Sequence, residues 1–111
     1  MLTVSMLGNI RQKERLEAFS LDVCNDLFSD LEPYGHINIR IKRKLDAYGY
    51  CWPPEEDAIE IEVRNEKDIR TVALTIAHEL VHARQFLTES AVCEDEAEKL
   101  EYELVDLYWE Q

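Results

Sequence analysis

His78, Glu79 and His82 spell H-E-x-x-H within Thr75–Ala83, a stretch that reads as helix. A helical turn takes about 3.6 residues, so side chains four apart share a face with Cβ atoms about 6 Å apart. Two imidazoles so placed can hold one zinc ion at about 2.0–2.1 Å each. Glu79, beside the first histidine, then lies where it can take a proton from water on that ion. A simpler account exists, since histidines at i,i+4 can line a polar helix face. The full pattern arises by chance in roughly one chain in a few hundred of this length. The setting favours the metal, because the motif interrupts an apolar helix where polar groups need a partner.

A catalytic zinc takes three protein ligands and keeps one open position, so two histidines leave one ligand to find. Cys93-Glu94-Asp95-Glu96-Ala97-Glu98 offers acids on a later helix. Glu94 precedes the core-facing Ala97 by three residues and stands about 60° from it round the helix. It therefore points along the packing seam toward the motif helix. Glu98, one turn on, is expected to orient a histidine by accepting its second N–H. Glu96 is the rival ligand, and a solvated helix face is the ordinary reading of such a charge run. Cys93 more simply packs. Tyr48, Tyr50, His36 and Tyr102 are the candidate donors to a tetrahedral oxyanion.

These groups need a scaffold, and the hydrophobic periodicity supplies one. Leu2 to Leu7 reads as a short strand, and Asn9 as the N-cap of a helix from Ile10 to about Leu31. Leu16, Phe19, Val23 and Leu27 form its buried stripe, and Glu32-Pro33-Tyr34-Gly35 stops it. Ile37, Ile39 and Ile41 then alternate with Asn38, Arg40 and Lys42, the period of a half-buried strand. A turn at Asp46-Ala47 leads into a strand from Tyr48 to Trp52, and after a Pro-rich loop a third runs from Ala58 to Arg64. Its outward Glu60 and Glu62 complement Arg40 and Lys42, pairs worth about 0.2–1 kcal/mol each. Asn65 to Asp68 cap the motif helix, which runs from about Lys67 to Leu87 with Val72, Ile76, Leu80, Ala83 and Leu87 as its core stripe. Ser90 caps a last helix, about Ala91 to Tyr108, packed through Ala97, Leu100, Leu104 and Leu107. The expected fold class is α+β: N-terminal helix, small three-stranded antiparallel sheet, motif helix and C-terminal helix, all in one domain over residues 1–111.

The whole chain narrows the function classes. A net charge of −12 opposes general binding to nucleic acid, and the basic run Arg40 to Lys44 is explained by strand pairing. Three scattered cysteines, Cys24, Cys51 and Cys93, form no C-x-x-C pair, which fits neither a disulfide framework nor a zinc ribbon. Cys24 reads as a small buried hydrophobe. No secretory signal and no stretch of about 18 apolar residues is visible, so the expected location is cytoplasmic, with no membrane partner.

With these residues in place a resemblance emerges. His78-Glu79-x-x-His82 followed by Glu94-x-x-Ala97-Glu98 resembles the gluzincin arrangement, in which a later helix supplies the third ligand from Glu-x-x-x-Asp. The size and layout are similar to the minigluzincins. The stretch from about Tyr48 through His82 is similar to SprT-like and ImmA-type metallopeptidases. The resemblance implies a zincin-like domain with one catalytic Zn²⁺ on His78, His82 and Glu94 and Glu79 as general base. It further implies a peptide or protein substrate laid beside an edge strand. Glu98 stands where the gluzincin pattern has Asp, and no third histidine follows His82. Peptide deformylases pair H-E-x-x-H with an upstream cysteine, the position Cys51 offers, but their glycine-rich motif is absent. The reading from another class is a non-catalytic, zinc-stabilised interaction module, which needs a fourth protein ligand.

Overall fold

The computed structural model describes residues 2–31 and 35–110. Along them run β1 (Leu2–Leu7), α1 (Lys13–Leu27), β2 (Gly35–Lys42), β3 (Gly49–Cys51), β4 (Ala58–Arg64), α2 (Ile69–Leu87) and α3 (Glu94–Tyr108). Three helices and a four-stranded mixed sheet make an α+β fold with strand order β1-β2-β4-β3. The first helix ends at Leu27, short of the expected Leu31, and the helix stop expected at Glu32-Pro33-Tyr34 lies outside the described residues. No described helix is long and apolar enough to cross a membrane.

The sheet corrects the expected three-stranded antiparallel arrangement. β1 joins it as a fourth strand, and β1, β2 and β4 run parallel; β3 alone is antiparallel, paired to β4. Burial explains why β4 enters between β2 and β3. Its Ile59, Ile61 and Val63 are all buried, whereas β3 has three residues, one of them glycine, and suits an edge. Period-two patterning fixes a strand's inward face but not its neighbour or direction. The outer-face charges pair as expected, one step diagonally: Arg40 with Glu60 and Lys42 with Glu62, each at 3.5 Å. Both pairs are partly exposed, so each is worth about 0.2–1 kcal/mol.

Helices cover the inner face, and Ile37, Ile39, Ile61, Leu16, Phe19, Val72, Ile76 and Leu80 fill the space between. α1 starts at Lys13 rather than Ile10, because the chain first turns through left-handed backbone at Gly8 and Gln12. Asn9 is therefore not its N-cap. At the end of α3, Val105 and Trp109 are buried in place of the expected Leu107, which is half exposed. Trp109 meets Phe19 edge to face at 5.7 Å and carries the Arg15 guanidinium on its ring at 3.6 Å. That contact anchors α3 to α1. Leu87, the last residue of α2, is exposed as well.

All three cysteines are free thiols in different settings. Burial pushes Cys24 up to about 12, and burial with the Glu79 charge does the same to Cys51, while Cys93 is exposed. The thiolate is the species that attacks thiol reagents, so the folded chain should react at Cys93 alone, the exposed thiol, and at all three positions once unfolded. Counting reacted thiols before and after denaturant checks this.

Candidate metal centre

α2 carries the H-E-x-x-H residues on a well-started helix, where the Asp68 side chain accepts from the Arg70 amide at 3.1 Å. The His78 and His82 rings stand 4.8 Å apart, nearly perpendicular. Both Nε2 atoms face Glu94, the first residue of α3: His78 Nε2 lies 3.3 Å from Glu94 Oε2 and His82 Nε2 lies 2.6 Å from Glu94 Oε1. The three ligand atoms fall within 4.8 Å of one another, and this His78–His82–Glu94 group could hold a metal ion. Ligand atoms of a tetrahedral ion with bonds of about 2.0–2.1 Å stand about 3.3–3.4 Å apart, so small side-chain rotations would seat one here. Two imidazoles and a carboxylate are the donor set of a borderline divalent ion.

The outward Nδ1 atoms are held too. His82 Nδ1 meets Gln85 Oε1 at 2.8 Å, and His78 Nδ1 lies 3.4 Å from Glu101 Oε1. The Gln85 amide can sit only one way round. Its Nε2 reaches two acceptors, the Cys93 carbonyl at 3.1 Å and Glu96 Oε1 at 2.9 Å, so its Oε1 must accept. His82 therefore donates from Nδ1, which leaves Nε2, facing Glu94, as the atom that could bind a metal. The same Oε1 also accepts from the Cys93 amide at 3.2 Å. One buried glutamine thus orients a histidine and clamps the residue before Glu94. Gln85→Leu is expected to weaken metal binding about 10–100-fold, as loss of an outer partner does. Competition against a chromogenic chelator measures it.

Several sequence expectations need revision. Glu98 lines the cleft beside His78, but Glu101 is the acid that meets His78 Nδ1. Glu96 turns to Gln85, away from the ligand group. Cys93 is an exposed N-cap whose backbone is engaged, and α3 begins at Glu94, so neither Ala91 nor a Ser90 cap belongs to it. Cys51 sits on β3, close enough to Glu79 to feel its charge, and outside the ligand group. Of the oxyanion candidates, Tyr48 and Tyr102 line the cleft. Tyr50 donates to Asp46 and packs on Trp52, and His36, on β2, meets Thr3 on the neighbouring β1. Gln85 and Glu101 were missed. Both carried a spacing signal, Gln85 three residues after His82 and Glu101 two helical turns after Glu94.

Glu79 is 6 % exposed and shares an open cleft of about 540 Å³ with His78 and Glu94. Burial raises its pKa above the ordinary glutamate value, opposed by the two histidines and reinforced by Glu94 and Glu101. Burial raises Glu101 likewise, against the His78 bond. β3 passes this spot closely because residue 49 is glycine. A Cβ there would stand 2.7 Å from Thr75 Cγ2 and 3.2 Å from Glu79 Cγ.

No protein-family model, curated protein or solved structure matches the chain.

Proposed function

We propose that this chain is a zinc metallopeptidase of the gluzincin type on a zincin-like fold. In this reading His78, His82 and Glu94 hold one Zn²⁺ and Glu79 is the general base. The observation that carries the reading is the convergence of three ligand atoms within 4.8 Å beside a buried, non-ligating Glu79. Zinc, when bound, polarises a scissile carbonyl and raises the acidity of water at the site. Glu79 takes the proton of the attacking water on its carboxylate and passes it to the leaving amine nitrogen.

The edge strand gives a peptide somewhere to lie. The Tyr48 carbonyl accepts from the Arg64 amide at 2.7 Å, and the Trp52 amide donates to the Glu60 carbonyl at 3.0 Å. By antiparallel alternation, the backbone groups of Gly49 and Cys51 face away from β4 along the free edge. An extended peptide adding there would run past Glu79 and the ligand group. Unpaired thiols suit a reducing compartment such as the cytoplasm.

The competing reading, a structural zinc clip in an interaction module, needs four protein ligands, and the group found among the described residues has three. The two readings separate in the cobalt-substituted chain. Its visible spectrum should shift when a small hydroxamate occupies the open position, whereas a spectrum that does not move would favour the clip.

A further inference from the structure

Glu98 is the cleft carboxylate that the metal centre leaves unused. Glu101 takes the histidine, and Glu98 makes no hydrogen bond or ion pair among the described residues. It lines the same cleft as His78 and Glu79, alongside Tyr48 and Tyr102, which are 56 % and 54 % exposed. Exposed aromatic rings beside a bare carboxylate suit a long side chain with an apolar stem and a cationic tip. The charge of the whole cleft points the same way. Glu79, Glu94, Glu98 and Glu101 line it, and no lysine or arginine does among the described residues. Arg64, which lies over the Tyr48 ring, is engaged by Glu66 at 2.5 Å. One divalent ion cannot neutralise four carboxylates, so the loaded cleft keeps a negative field, focused by its walls.

We propose that the cleft selects peptides with a lysine or arginine close to the scissile bond, its stem against Tyr48 and Tyr102 and its charge at Glu98. This rests on the peptidase reading above and names its substrate class. An acidic side chain at the same place meets repulsion from Glu98 and Glu101, and a neutral one gains only the stem contact.

The test uses the zinc-loaded full chain and matched peptides in which lysine, norleucine or glutamate is scanned through each position. At one position lysine should exceed norleucine by about fivefold in kcat/KM, the scale of an exposed ion pair, with glutamate lowest. Raising ionic strength from about 0.01 M to about 1 M should erase the lysine advantage, since exposed charges are then screened. Glu98→Gln should bring lysine down to norleucine, and Glu98→Lys should reverse the order of lysine and glutamate. Metal content should stay unchanged in both. Cleavage with no cationic preference at any position, or a preference untouched by Glu98→Gln, overturns this proposal and leaves the peptidase reading standing. Cleavage of none of the peptides by the metal-loaded chain overturns that reading, and the proposal with it.

Discussion

Glu79→Gln is expected to leave one zinc per chain and to lower peptide hydrolysis about 10²–10⁴-fold, the usual contribution of a positioned acid–base group. The ligand group does not include Glu79, so metal content should not change. Glutamine keeps the shape of the side chain, which matters because Gly49 leaves no slack beside it. It also removes a charge that the fold disfavours. Burial raises the Glu79 pKa, so above the ordinary glutamate range the ionised carboxylate weakens the metal-free fold. The neutral amide carries no such penalty, and the metal-free variant should melt no lower than the parent at neutral pH. Turnover, metal content and a thermal melt on one preparation check all three expectations. Undiminished turnover would remove Glu79 from the reaction.

Glu94→Ala should act in the opposite way, losing metal while keeping the fold. Its effect on affinity should exceed the 10–100-fold expected of an outer partner, so a loss greater than about 100-fold is predicted. The Glu94 side chain is 63 % exposed and opens α3, so its removal leaves no cavity. The helix loses one first-turn acid, a dipole interaction of about 0.3–1 kcal/mol, while Asp95 and Glu96 remain there. Gln85 still clamps the Cys93 backbone, so the helix start stays in place. Circular dichroism with chelator competition separates loss of the ligand from loss of fold. Unchanged zinc affinity would remove Glu94 from the ligand set.

The motif helix was legible because two signals agree in it. Val72, Ile76, Leu80 and Ala83 repeat at helical spacing and are all fully buried, and the histidines sit on a separate face. Glu94 was legible for a similar reason, its phase relative to the buried Ala97. The sheet was only half legible. Alternation identified the inward residues of β2 and β4, but insertion of β4 beside β2 follows from competition for the central position, which no single strand reveals. The outer partners of the histidines depend on how α2 and α3 pack against each other. Helical phase alone placed Glu98 where the packed helices bring Glu101 instead. Gln85 was hidden in a different way. Its amide acts on the Cys93 backbone, and backbone groups leave no mark in a sequence.

The central claim is that His78, His82 and Glu94 together hold one zinc ion. Its most direct test is elemental analysis after equilibrium dialysis against limiting zinc, comparing the parent chain with Glu79→Gln and His82→Ala. One zinc per chain in the parent and in Glu79→Gln, with little or none in His82→Ala, is the predicted result. A folded parent chain that binds no zinc, or a His82→Ala chain that binds as much as the parent, would contradict it.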